Sequence, residues 1–145
     1  MSNVFALRVA ADVEHLAAIR AFVERQALAL GTDSSAIYDL ALAVNEMATN
    51  IVVHGYRGRP GTIEIELRPL SDAIEVRLRD KAPLFDPTGV AAPDLSLPLH
   101  QRPLGGMGLH LTRNAIDALS YRVTPEGENE LTLLKCGILA GSRKE

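Results

Sequence analysis

One stretch of the chain, Leu40 to Gly55, constrains the fold most, because it is apolar with helical spacing yet carries two polar side chains. Glu46 and Asn50 are four residues apart, which places them on the same face of a helix. A carboxylate and an amide side by side are costly to bury without partners. The stretch therefore predicts a core helix whose polar face is directed either at solvent or at a functional site, and the helix alone leaves both alternatives open.

Helical geometry divides this stretch into two walls. The wall predicted to pack on the core contains Leu40, Val44, Met47 and Ile51. The polar arc contains Asn45, Glu46, Thr49 and Asn50, with Leu42 and Val53 inside it.

The remaining secondary structure follows from periodicity, capping residues and turn residues. Asp12 is expected to cap the first helix, which ends near Leu30, and Asp33 or Ser34 the second, which ends at Gly55. A third helix is predicted over Leu109–Leu119. The predicted strands are Val4–Ala10, Thr62–Arg68, Ile74–Asp80, Ser120–Thr124 and Asn129–Cys136.

The two central strands define the fold class. Thr62–Arg68 and Ile74–Asp80 each alternate apolar with charged residues and are joined by a short Pro69–Asp72 connection. This pattern is typical of an antiparallel hairpin with helices on one face only. We therefore predict an α+β fold, a two-layer sandwich in which a mixed, mostly antiparallel sheet is covered on one face by three helices. At 145 residues the chain is expected to form a single domain, 1–145.

Two further features could carry chemistry. Asp80 ends an apolar strand, where its carboxylate is either a turn residue or an acceptor for an amine such as that of adenine. Gly105-Gly106-Met107-Gly108 opens a helix, where small residues and free N–H groups suit a phosphate, although a glycine cluster alone is a weak signal. Between them, residues 81–104 hold five of the eight prolines without periodicity, which indicates a functional lid or a disordered segment.

Composition excludes several classes of protein. The net charge is −3 without long charged runs, which argues against direct nucleic-acid binding. A single cysteine, Cys136, excludes a disulfide framework or a cysteine zinc site, and we expect it to be buried in a strand. No signal-peptide pattern and no apolar run of about 18 residues is found, so we expect a cytoplasmic protein that does not contact a membrane.

Taken in order, these motifs resemble the GHKL superfamily of ATPases and kinases, and within it the bacterial anti-sigma-factor serine kinases. The specific part is Glu46 to Tyr56, which is similar to that family's N-box. Asp80 with Phe85-Asp86-Pro87 resembles its first glycine box, and Gly106 to Leu109 resembles its second. The similarity extends from about Val4 to Cys136 and implies the Bergerat-type ATP-binding fold.

The resemblance implies a role for each matching residue. Glu46 would be the general base, Asn50 would ligate Mg²⁺, and Asp80 would bind the adenine amine of ATP. Residues 86–104 would form the ATP lid. The other implied ATP contacts are His54, Ala82, Arg102, Gly105, Gly106, Met107, Gly108 and Leu109. For His54, a hydrogen-bonded histidine at a helix end is an equally good interpretation.

The implied function is that of a protein serine kinase and anti-sigma factor in a partner-switching pathway. It would bind a sigma factor or another client and phosphorylate a serine on a STAS-type antagonist protein, and a homodimer is expected. Ala82-Pro83 favours an alternative, a nucleotide-dependent binding module without kinase turnover, and two departures from the family pattern bear on nucleotide affinity. Ala82-Pro83 stands where the family has glycine two residues after the aspartate, and Asn129 or Thr132 must replace a nucleotide-contacting threonine. A sandwich that binds no nucleotide is the remaining alternative.

Overall fold

The structure is a computed structural model, and it describes residues 4–89, 96 and 106–137. The helices are α1 (Leu16–Ala29), preceded by a short 3-10 turn (Val13–His15), α2 (Ser34–Asn50) and α3 (Gly106–Ala115). A π-helix, Ile51–Tyr56, continues directly from α2, and a second 3-10 turn spans Pro87–Gly89. The strands are β1 (Phe5–Ala10), β2 (Thr62–Leu70), β3 (Ala73–Asp80), β4 (Ala118–Val123) and β5 (Asn129–Cys136).

The five strands form one sheet in the order β1-β2-β3-β5-β4, and all four pairings are antiparallel. Because β5 lies between β3 and β4, the C-terminal strand pairs along the whole length of β3. This register sets Asp80, the last residue of β3, opposite Asn129, the first residue of β5. The predicted α+β sandwich is confirmed, but the sheet is antiparallel at all four pairings rather than mixed.

The three helices lie on one face of this sheet. The apolar residues of β2 and β3 alternate toward that face, where α2 contributes the wall that the sequence predicted. The fully buried side chains include Leu40, Val44, Met47, Ile63, Ile65, Leu67, Ile74, Leu78 and Leu133. The charged residues of the same strands lie on the uncovered face, as the alternation requires.

Helix boundaries follow local chemistry. Asp33 caps α2 by accepting a hydrogen bond from the Ala36 backbone N–H at 2.9 Å. Gly55 was expected to end this helix, but the π-helix runs through it to Tyr56. The chain turns instead at Arg57, which has a left-handed backbone (φ 54°), and at Gly58 (φ 82°). The helical rod is therefore longer than predicted.

By length and composition this rod, Ser34–Tyr56, could cross a membrane, since it has 23 residues and a mean hydropathy of 1.2. Half of its most apolar window is buried inside the protein, as in the core helix of a sandwich. Among the residues that the structure describes, it is the only helix of this kind.

Two other expectations were wrong. The third helix ends at Ala115, not Leu119, because Ala118 already begins β4 and Asp117 accepts a hydrogen bond from the Cys136 backbone N–H at 2.7 Å. Cys136 is exposed rather than buried, because it is the last residue of β5. The end of α3 is also held by Lys135, whose Nζ donates to the Ala115 carbonyl at 2.7 Å.

Candidate functional site

A cavity of about 470 Å³ opens between the helical rod, the end of β3, α3 and strands β4 and β5. Its walls are mostly apolar, and a few polar groups point into it. From the rod it is lined by Met47, Asn50, Ile51, His54 and Gly55, and from the following turn by Arg57 and Arg59. From the other side it is lined by Asp80, Ala82, Pro83, Leu84, Phe85, Pro87, Leu109, Tyr121, Asn129 and Leu131. Such a concave apolar site with few polar groups is the usual form of a small-molecule site.

At one end of the cavity lies Asp80, only 5% exposed. Its Oδ1 accepts two hydrogen bonds, from the Ala82 backbone N–H at 3.0 Å and from Asn129 Nδ2 at 2.9 Å. Burial raises the pKa of this carboxyl above its ordinary value, against the lowering effect of the two donors. Oδ2 has no hydrogen-bond partner among the described residues, so it is free to accept from a ligand.

Asn129 joins the surroundings of Asp80 into one network. Besides Asp80, its Nδ2 faces the carbonyls of Ala82 at 3.1 Å and Pro83 at 3.3 Å. Its Oδ1 accepts from the Phe85 backbone N–H at 3.1 Å and from the Tyr121 hydroxyl. The segment that leaves β3 is therefore fixed to both β4 and β5.

The polar pair of α2 meets the first turn of α3. A Cβ placed at Gly108 would lie 2.9 Å from Glu46 Oε1 and 3.8 Å from Asn50 Nδ2. Glycine at this position allows the backbone of α3 to approach both side chains. Glu46 and Asn50 are each half-buried, and Asn50 lines the cavity while Glu46 does not. The polar face of α2 is therefore directed at the start of α3.

The π-helix shapes the wall between these two ends. Gly55 packs so closely on the turn after β3 that a Cβ there would lie 3.2 Å from the Ala82 Cβ. Tyr56 is buried, donates its hydroxyl to the Thr62 carbonyl at 2.8 Å and accepts from the Lys81 N–H at 2.8 Å. Both contacts tie the rod to the strand end that carries Asp80. A π-turn changes the direction in which the helix side chains point, and π-helices are frequent at functional sites.

The structure brings most of the predicted site residues together. Asn50, His54, Asp80, Ala82 and Leu109 line one cavity, and Glu46 and Gly108 touch beside it. Gly106 and Met107 lie in the first turn of α3. Arg102, Gly105 and most of the predicted lid, residues 86–104, lie outside the residues that the structure describes. His54 is exposed, and its carbonyl rather than its ring accepts from Arg57 Nε at 3.2 Å.

Some lining residues were not predicted. Among them are Arg57 and Arg59 in the turn after the rod and Tyr121 on β4. Of the two candidates in the last strand, Asn129 lies in the site, whereas Thr132 pairs with Arg77 on the opposite face of the sheet. One signal could have distinguished Asn129 from Thr132. Asn129 is the first residue of a strand that pairs with β3.

The donor set bears on which metal could bind. Within residues 4–89, 96 and 106–137 no group of three histidine, cysteine or acidic side chains lies close enough to hold an ion. Mg²⁺ is commonly held by one or two protein oxygens together with substrate phosphates. The side-chain oxygen of Asn50 lies next to the start of α3. It could therefore serve as the protein oxygen in a site that is completed by substrate phosphates.

Comparison with known proteins agrees with this geometry. Residues 9–135 match the family described as histidine kinase-like ATPase domain. A serine/threonine-protein kinase, BtrW of Bordetella bronchiseptica, is 35% identical over 97 residues, which cover 66% of this chain and 68% of that protein. A serine-protein kinase, RsbW of Bacillus cereus, is 30% identical over 115 residues, 77% of this chain and 72% of that protein.

A solved structure shows the same fold. It contains the RsbU and RsbW domains of a Mycobacterium tuberculosis protein, with a TM-score of 0.66 and 17% sequence identity. The match covers 94% of this chain but only 33% of that longer chain.

Proposed function

The chain belongs to the histidine kinase-like ATPase family and, within it, resembles the bacterial serine-protein kinases, and we propose that it is an ATP-dependent protein serine kinase. The observation that carries the proposal is that two polar regions lie within one site. Asp80 presents a free carboxylate oxygen at one end of an apolar cavity, and Glu46, Asn50 and the glycine start of α3 meet beside it. A nucleotide needs both, an acceptor for its base and donors for its phosphates.

In the proposed complex, adenine lies against the apolar walls and its amine donates to Asp80 Oδ2. The phosphates lie at the first turn of α3, where free N–H groups and the helix dipole favour negative charge. Asn50 would hold Mg²⁺, which neutralises charge on the phosphates.

The proposed reaction is an in-line phosphoryl transfer. The serine hydroxyl oxygen of the protein substrate forms a bond to the γ-phosphorus, and the bond from that phosphorus to the bridging oxygen of ADP breaks. The hydroxyl proton passes to Glu46, and ADP leaves with the electron pair. Most of the rate enhancement would come from positioning and charge neutralisation, with a smaller part from the base.

We further propose that the serine belongs to a STAS-type antagonist protein and that the kinase also holds a sigma factor or another client. Phosphorylation would then decide which partner is bound. This proposal goes one step beyond the similarity to the kinases BtrW and RsbW, because it also names the partners.

The test is to incubate the protein with Mg·ATP and a STAS-type antagonist domain encoded near it, and to follow phosphate transfer to serine. We expect Glu46→Gln to retain ATP binding and to lose transfer by about 10²-fold or more, the usual contribution of a general base. Asn50→Ala should instead weaken binding of Mg·ATP. Glu126→Gln, which removes a carboxylate from the exposed turn before β5, serves as the matched control.

The outcomes are distinct. No ATP binding at millimolar nucleotide would contradict the whole proposal. Binding without transfer would favour the alternative, a nucleotide-dependent binding module, for which Ala82-Pro83 in place of a glycine turn is the favouring observation. Normal transfer by Glu46→Gln would show that Glu46 is not the base.

A further inference from the structure

Asn129 contacts Asp80, the turn after β3 and Tyr121 on β4 at the same time. Only 6% of it is exposed, and it makes contacts to five partners: Asp80, Ala82, Pro83, Phe85 and Tyr121. A buried amide with so many partners has a single orientation available to it.

The partners themselves determine that orientation. The carbonyls of Ala82 and Pro83 can only accept, so they require the Nδ2 group of Asn129 on their side. The Phe85 N–H can only donate, so it requires Oδ1 on the other side. Asn129 therefore always offers a donor to Asp80, and never an acceptor.

This donor restricts what Asp80 can do. Oδ1 of Asp80 is occupied as an acceptor by Asn129 Nδ2 at 2.9 Å and by the Ala82 N–H at 3.0 Å. The two donors set the plane of the carboxyl group and favour its ionised form, which leaves Oδ2 as the oxygen that can accept from a ligand. A base at this position must then supply a hydrogen-bond donor.

We propose that Asn129 is a positioning residue that makes the site selective for a nucleobase with an exocyclic amine, by holding Asp80 in its accepting state. The inference rests on the proposed function, in which Asp80 receives the base of the nucleotide. It assigns the selectivity to the pair of residues rather than to Asp80 alone.

The test compares binding of ATP with that of inosine triphosphate, in which a carbonyl oxygen replaces the amine. Wild-type protein should bind ATP more tightly by about tenfold or more, because the carbonyl would face Oδ2 with no proton between them. Titration calorimetry with Mg²⁺ present measures both affinities.

Asn129→Asp is the decisive variant, because it keeps the shape and the acceptor for Phe85 but removes the donor. A second carboxyl then replaces a donor beside Asp80, which raises the pKa of Asp80, and the proton that Asp80 binds from solvent at Oδ2 gives an O–H to the inosine carbonyl. We expect the preference for ATP to fall about tenfold, while a merely structural role for Asn129 would weaken both nucleotides equally. In Asn129→Ser the serine side chain is too short to reach Asp80, so this variant should lower the preference for ATP without adding a charge. It tests the inference if Asn129→Asp does not fold.

The matched control is Thr132→Ala, on the same strand but the opposite face, which should keep the preference. Unfolding midpoints verify that each variant is folded. A preference unchanged in both Asn129 variants, or absent from the wild type, would overturn this inference and leave ATP binding intact. A wild type that binds neither nucleotide would overturn the proposed function and this inference with it.

Discussion

Asp80 illustrates the cost of placing a carboxyl group where water hardly reaches. Its strand ends there, so the next N–H groups are not used by the sheet, and one of them, from Ala82, donates to it. Asn129 supplies the second donor from the paired strand. Two donors reduce the cost of burial but do not cancel it, because the pKa of Asp80 remains raised by desolvation.

That raised pKa predicts a gain in stability from Asp80→Asn. The folded state binds the proton of Asp80 more tightly than the unfolded state, so the contribution of this residue to stability is complete below its unfolded pKa. It is lost as pH rises through the folded pKa. The amide oxygen of the substituted side chain would still accept from Ala82 and Asn129 without carrying charge. In urea unfolding, Asp80→Asn should therefore be more stable than wild type at neutral pH.

The difference should shrink as pH falls, because wild-type Asp80 then becomes neutral too. ATP binding should be lost at the same time, since the new amide group cannot accept from the adenine amine. Equal stability at neutral pH would indicate that Asp80 is better solvated than its burial implies.

Gly108 lacks a side chain, and this leaves room for the Glu46 carboxylate beside α3. We expect Gly108→Ala to displace the Glu46 carboxylate, because the new Cβ would lie 2.9 Å from Oε1, at the end of a flexible side chain. Alanine is also the better helix former by about 1 kcal/mol. The variant should unfold at the wild-type temperature or above, yet phosphate transfer should fall about tenfold or more. Wild-type transfer rates would show that the position of Glu46 is not critical.

At the scale of elements, the ends of helices and strands were predicted well where the sequence pattern fits only one kind of element. They were missed where the pattern fits both a helix and a strand. β5 was predicted with its observed ends, because the turn over residues 125–128 marks where the strand begins. The end of α3 was missed, because Ile116 and Leu119 suit both a helical and a strand period, and tertiary pairing with β5 decided in favour of the strand.

The π-helix could not be predicted for a similar reason. Gly55 is the usual residue after a helix end, but here its lack of a side chain is needed for close packing on Ala82. Gly108 also lacks a side chain for the sake of close packing, in this case with Glu46. The sequence indicated a phosphate contact at Gly108 but not the approach of Glu46. Which neighbour requires a glycine is a property of the folded structure, and periodicity does not contain it.

Tyr56 is expected to hold the π-helix to the sheet. Tyr56→Phe would leave the Lys81 N–H without its acceptor and the Thr62 carbonyl without its donor, and both hydrogen bonds are partly buried. We expect a loss of about 1–3 kcal/mol in the free energy of unfolding, measured with urea. Tyr38→Phe on α2 is the matched control, because Tyr38 is 68% exposed and should show no change. An equal effect of both substitutions would argue against the role of the Tyr56 hydroxyl.

At the scale of the whole molecule, the two faces of the sheet have separate tasks. One face carries the helices and the cavity, and the other is held by a chain of ion pairs that crosses four strands. Arg79 on β3 contacts Glu66 on β2 at 3.1 Å and Glu130 on β5 at 2.6 Å, and Arg122 on β4 completes the chain at Glu130. The sequence predicted a charged face, but not which charges would meet, since that depends on the strand order β2-β3-β5-β4.

Glu130 is the central member of this chain, because it is 2% exposed and bonded to two guanidinium groups. Burial acts to raise its pKa, but Arg122 and Arg79 outweigh burial and hold the pKa below its ordinary value. The stability that Glu130 contributes is therefore present above its unfolded pKa and is lost as pH falls through its folded pKa.

We expect Glu130→Gln to lower the free energy of unfolding by about 1–3 kcal/mol at neutral pH, since Arg122 loses its charged partner and Arg79 keeps only Glu66. Glu64→Gln is the control, because it breaks the more exposed pair with Arg8 and should cost less than about 1 kcal/mol. The Glu130 effect should diminish in acid, where wild-type Glu130 is protonated too. Because β5 also carries Asn129, Glu130→Gln should further weaken ATP binding, whereas an effect on stability alone would show that the site does not depend on this face of the sheet.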